Sequence, residues 1–216
     1  SMKLWETMEQ EFNFNAMVSQ RGIVNLIHTD AQRDAYRRRG NAMLLAGADA
    51  ELLDRDGVRA MYPWLNFDNA RFPIKGGLLQ RRAGTARHDG VAWGYARGAD
   101  LLGVDIIQNC EVSGFRIENN RVLGVETSRG YIGAKKVGVA VAGSSGRVMA
   151  MAGMRLPIES HVLQAFVSEG LKPVVDGVIT FGAGHFYVSQ SDKGGLVFGG
   201  DIEDRQSTRL NSRQRI

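Results

Sequence analysis

Leu4, Trp5, Met8 and Phe12 recur at the three- and four-residue spacing of a helix face, and the pattern predicts a helix over 4–14. A short apolar run over 22–27 has the length and the branched residues of a strand, and 30–45 is helical again. Asp54 can cap a brief helix that Pro63 ends. The segment from there to Gln80, with Pro73 and the pair Gly76-Gly77, reads as loop and edge strand. Thr85 has the chemistry of a helix N-cap, and Val91, Trp93, Tyr95, Ala96 and Leu101 continue an amphipathic helix that Gly103 stops.

The β signal then strengthens. Strands are predicted over 104–107 and 110–117, with Asn119-Asn120 at a hairpin turn because asparagine tolerates positive φ. Residues 121–127 return, Arg129-Gly130 turns again, and 131–142 leads out. Its last part, 137–142, is continuously apolar and predicts burial on both faces. Gly143-Ser144-Ser145-Gly146 opens a helix holding Met149 and Met151. Beyond Pro157 strand patterns recur at 162–167, 178–180, 186–189 and 196–198, separated by glycine-rich turns. From Asp201 the arginines Arg205, Arg209, Arg213 and Arg215 alternate with polar residues and give no apolar face, so 201–216 reads as an unstructured or foreign tail.

Helices interleaved with a β-meander and further strands make a mixed α/β (α+β) fold. Composition supports it: 216 residues with 44% hydrophobic and 23% charged content can bury a core, and 27 glycines against 4 prolines suit a strand-rich chain with many turns. A net charge of +4, with arginines spread among acids, lends no support to a nucleic-acid partner. Cys110 is the single cysteine, which excludes an internal disulfide and points to a reducing compartment, the cytoplasm. No apolar run reaches the roughly 18 residues that would span a bilayer.

The richest segment chemically is Leu79-Gln80-Arg81-Arg82-Ala83-Gly84-Thr85-Ala86-Arg87-His88-Asp89. It sets His88 in the first turn of a helix, where the positive end of the helix and the neighbouring Arg81, Arg82 and Arg87 disfavour the protonated imidazole. An uncharged imidazole is a nucleophile, and the same guanidinium cluster would attract an anion such as a flavin phosphate. Residue types alone leave a second reading open: a first-turn histidine on a solvated basic face.

Several motifs together favour the first. The run from Gln80 to Gly98, the segment Gly103-Val104-Asp105-Ile106-Ile107-Gln108-Asn109-Cys110-Glu111-Val112, the segment Leu156-Pro157-Ile158-Glu159-Ser160-His161-Val162-Leu163-Gln164 and the run from Gly184 to Gly195 resemble the beta subunit of heterotetrameric sarcosine oxidase. The resemblance runs from about Trp5 to about Asp201 and implies an internal piece of an FAD-dependent amine oxidase. In that family the histidine of Ala-Arg-His-Asp bears a covalent FMN, which falls here on His88, beside Arg87. The implied reaction takes electrons from sarcosine or a similar N-methyl amino acid to FAD, then to FMN, then to oxygen, giving hydrogen peroxide. Implied partners are a large alpha subunit and small subunits. The implied domains are 84–153 as the middle of an FAD-binding domain, with 1–83 and 154–200 as parts of a strand-rich substrate domain.

The resemblance also implies that the Val112 backbone meets the adenine of FAD, that the chain passes close to the dinucleotide at Ala142 and Gly143, and that Tyr187 lines the substrate cavity and holds its carboxylate. The Gly-x-Gly-x-x-Gly turn that should cradle the FAD pyrophosphate is missing from these 216 residues. His161 and His185 read as structural, His28 has no partner at ligand spacing, and no set of residues has metal-ligand spacing. A sister flavoprotein that oxidises dimethylglycine or glycine, and a non-catalytic subunit-interaction module, are the competing readings.

Overall fold

The computed structural model describes residues 2–160, 163–182 and 186–200. The expected tail, 201–216, lies outside them. Two compact units emerge, one formed by residues up to Ala99 together with those from Leu163, the other by Asp100–Val162.

The first unit opens with helix α1 (Met2–Phe12), which stops where Asn13 turns to φ +48°. Strands β1 (Val18–Ser19) and β2 (Ile23–Ile27) follow, then helix α2 (Asp30–Leu45). A reciprocal capping box starts α2: Thr29 Oγ1 accepts from the Gln32 amide at 3.1 Å while the Gln32 side chain accepts from the Thr29 amide. Thr29→Ala should therefore lower stability by about 1 kcal/mol. Thermal melting checks this, with an expected drop of about 2–4 °C for a chain of this size.

Strand β3 (Glu51–Asp54), helix α3 (Arg55–Met61) with Asp54 as its cap, and strand β4 (Gly76–Gln80) complete this stretch. The segment before Gln80 is thus no edge strand. β4 lies between β3 and β2, with Leu78 and Leu79 fully buried. Gly77 signalled a loop in the sequence, but a Cβ there would sit 2.7 Å from Val24 Cγ2, so glycine is what lets α3 and β2 close over the strand.

Farther along the chain, β9 (Gln164–Gly170), β10 (Val178–Phe181), β11 (Phe186–Gln190) and β12 (Gly195–Gly200) complete a seven-stranded sheet of order β3-β4-β2-β10-β11-β12-β9. β2 and β10 run parallel, and every other neighbouring pair is antiparallel. The register aligns Leu79, Val24, Ile179 and Val188 across one face. There Val24, Leu79 and Ile179 form the core with Val58, Tyr62, Phe67, Ile74 and Val175. On the opposite face the aligned row is Leu52, Leu78, Asn25, Thr180, Tyr187, Gly199 and Ala165.

Thr85 does not cap a helix. It lies in β5 (Thr85–Ala86), which pairs with β1, and α4 (His88–Leu101) begins two residues after β5 ends.

In the second unit, β6 (Val112–Glu118), β7 (Arg121–Thr127) and β8 (Gly130–Gly133) form the expected meander, with Asn119 at φ +48° and Asn120 at φ +59° in the turn. Two expectations fail here. Residues 104–107 are not a strand, and Val104, Ile106 and Ile107 are exposed. The Ala134 amide still donates to the Leu123 carbonyl at 2.8 Å, but residues 135–141 leave the sheet, with Val139 and Val141 exposed. An apolar run becomes a buried strand only where neighbours supply hydrogen bonds and cover, and none of the described residues does so. A 3-10 turn (Ala142–Ser144) leads into α5 (Ser145–Met151), the helix expected after Gly143. No helix among the described residues is long and apolar enough to cross a membrane.

Candidate active site

His88 is placed by a chain of close approaches. β5 pairs with β1 through Ala86 opposite Val18 and Thr85 opposite Ser19. Gly84 permits this, since a Cβ there would overlap the Ser19 carbonyl oxygen. Beyond the strand, Gly90, Gly94 and Gly98 recur at four-residue spacing and form the side of α4 that meets α1 and the segment just after it. A Cβ on Gly90 would come 3.0 Å from the Ala16 carbonyl oxygen, one on Gly94 would overlap Met8 Sδ, and one on Gly98 would reach 2.9 Å from the Phe12 ring. Arg97 Nε fastens the pair by donating to the Phe12 carbonyl at 2.8 Å. The helix is held by its glycine side, and His88 stands exposed at its first residue.

Electrostatics differ from the expected open guanidinium cluster. Arg81 pairs with Glu51 at 2.7 Å, Arg82 pairs with Glu6, and Arg87 grips Asp89 with two donors at 2.7 and 3.1 Å. Each arginine therefore has its own carboxylate. The Arg87 donors, and then the Gly90 amide at 2.9 Å, hold the Asp89 carboxyl below the usual carboxylate range. Asp89 also takes the position at the helix start that a bound anion would occupy. None of these three arginines is left unpaired to meet a phosphate, and the His88 imidazole stands exposed beside them.

Tyr187 lies in the same unit, in β11, between Thr180 and Gly199. The missing side chain of Gly199 leaves room for its hydroxyl, which would stand 3.3 Å from a Cβ there. On the same face Thr180 Oγ1 donates to Asn25 Oδ1 at 2.9 Å, so a polar strip runs through otherwise apolar strands.

The remaining sequence candidates belong to the second unit. Val112 begins β6 opposite Thr127. Ala142, not Gly143, takes the left-handed backbone at φ +45°. The Gly143 carbonyl accepts from Ser160 Oγ at 2.7 Å, and a Cβ on Gly143 would meet only Ser160 at 3.4 Å. Nothing in the described chain itself therefore demands glycine at that position.

His28 is buried: Nδ1 is 3.3 Å from the Pro73 carbonyl oxygen and the ring stacks on Phe181. It lines a largely apolar cavity of about 300 Å³ together with Phe72, Ile74 and Phe181, a feature that the sequence pattern did not suggest. His161 and His185 lie outside the described residues. Among the described residues no group of three His, Cys, Asp or Glu side chains is placed to hold a metal.

Comparison with known proteins gives this geometry a context. The pattern of the FAD dependent oxidoreductase family matches residues 1–216. The chain is 76% identical over 207 residues to the sarcosine oxidase subunit beta of Rhizobium meliloti, covering 96% of this chain and 50% of that protein. It is 46% identical over 200 residues to the sarcosine oxidase subunit beta of Rhodobacter capsulatus, covering 93% and 48%. The chain therefore spans about half the length of the curated relatives it matches. In fold it resembles the L-proline dehydrogenase from P.horikoshii, with a TM-score of 0.83 at 23% identity over 98% of this chain and 59% of that one. On the match along its whole length and on this degree of identity, the chain belongs to the FAD dependent oxidoreductase family and is a homologue of sarcosine oxidase beta subunits.

Proposed function

We propose that these 216 residues are an internal portion of the beta subunit of a cytoplasmic, hetero-oligomeric sarcosine oxidase, and that His88 carries its covalent FMN. The observation that carries this reading is an exposed imidazole at the first residue of α4, in a chain 76% identical to a protein named for that activity. When bound, the flavins supply the redox chemistry, taking two electrons from the N-methyl amine at FAD and delivering them through FMN to oxygen as hydrogen peroxide.

The residues of this chain position those groups. His88 provides the tether. The Arg87–Asp89 pair fixes the turn from which the imidazole projects. In this reading 84–153 contributes the middle of the FAD-binding domain, where the Val112 backbone meets the adenine and the turn at Ala142 and Gly143 passes the dinucleotide. Residues 1–83 and 154–200 contribute to the substrate domain, whose Tyr187 hydroxyl holds the carboxylate of sarcosine. A large alpha subunit and small subunits complete the enzyme.

Because the pyrophosphate-binding glycine turn is absent from the chain, the 216 residues alone should retain little FAD and turn over no sarcosine. Peroxide assays and dialysis of the purified chain check this. Sarcosine-dependent peroxide formation by the chain alone would contradict the division of labour proposed here.

A further inference from the structure

The docking of α4 leaves the rest of the helix open, with Trp93 exposed on it as well as Tyr95. With Gly90 turned to Ala16 and Gly94 and Gly98 turned to α1, the positions four, seven and eleven residues after His88 share a stripe that includes His88 itself and lies away from those contacts. The stripe reads His88, Ala92, Tyr95 and Ala99. His88, Ala92 and Tyr95 are exposed, and Tyr95 leaves 45% of its surface to solvent. Burying an aromatic ring is worth more than burying most side chains, so one left open on a docked helix suggests a surface meant to be covered.

Geometry indicates by what. Long helical side chains lean back toward the helix start, which directs Tyr95 toward the turn that holds Ala92, and so toward His88. Seven residues at 1.5 Å rise separate the two ring-bearing positions by roughly 10 Å, a span suited to a fused three-ring system. Between them Ala92 offers only a methyl group, which makes a flat shelf.

We propose that this stripe is the bed of the flavin ring tethered at His88, with Tyr95 stacking against the end remote from the tether; the inference rests on the assignment of His88 made above. Tyr95 is then a positioning residue that selects a planar aromatic group, and Ala92 must stay small.

The test uses the longer subunit that carries this segment, coexpressed with its partner subunits. Stacked tyrosine and tryptophan quench flavin emission. Tyr95→Leu should keep full covalent fluorescence on a denaturing gel while raising flavin emission of the native protein several-fold, and Tyr95→Trp should leave native emission low. Ala92→Leu, a good helix former on an exposed position, should reduce covalent incorporation several-fold at an unchanged melting temperature. Unchanged native emission in Tyr95→Leu overturns the proposal whatever Ala92→Leu does; should Tyr95→Leu not fold, normal incorporation in Ala92→Leu overturns it. A fluorescent band surviving His88→Ser would overturn the tether, and this proposal with it.

Discussion

Replacing His88 with serine is expected to abolish flavin fluorescence from the denatured subunit while leaving its fold intact. The side chain is exposed at the first residue of α4, so no core contact is lost and the change in stability should stay within about 0.5 kcal/mol. Serine is also well tolerated at a helix start. A loss of covalent flavin would then be chemical in origin, because the hydroxyl supplies no imidazole nitrogen. Denaturing-gel fluorescence together with a melting curve separates this from misfolding, and an undiminished fluorescent band with normal melting would remove His88 from the chemistry.

Gly84→Ala should have the largest effect on the fold around the site. Its Cβ would overlap the Ser19 carbonyl oxygen and lie 2.8 Å from the carbonyl carbon and 2.9 Å from the Gln20 Cα. These are backbone atoms, which cannot rotate away as a flexible side chain would. The β1–β5 pairing is only two residues long, so it has little to oppose the clash. A loss of roughly 2–4 kcal/mol is expected, read as a fall in melting temperature of roughly 5–15 °C, together with reduced flavin attachment as the start of α4 shifts. Gly114→Ala is the matched control, because a Cβ there meets nothing within 4 Å. Equal melting temperatures for the two variants would show that the Ser19–Gly84 approach does not hold His88 in place.

Much of this was legible in the sequence where a local signal carried it. The capping chemistry of Asp54, the 3.6-residue pattern of α2 and α4, and the paired asparagines of the β6–β7 turn each act over a few residues. The failures involve distant partners. Gly76-Gly77 reads locally as a loop, but the strand exists because β3 and β2 flank it from either side. The run 137–142 has a strand's composition without a strand's neighbours among the described residues.

Around the site, His88 itself stood out as part of a motif, whereas its electrostatic surroundings did not. Arg81 and Arg82 look free in sequence because Glu51 and Glu6, which neutralise them, lie 30 and 76 residues away. The glycine side of α4 was visible all along as Gly90, Gly94 and Gly98 at a spacing of four. That spacing puts three side-chain-free positions on one side of the helix, where Ala16, Met8 and Phe12 close in.

Peptide mapping of the flavin-loaded protein after trypsin digestion tests the central claim most directly. Cleavage after Arg87 and Arg97 releases the peptide beginning at His88. The expected result is that this peptide carries the mass of one FMN and fragments to place it on the histidine. Finding the peptide unmodified in flavin-loaded enzyme, or the FMN on another residue, would contradict it.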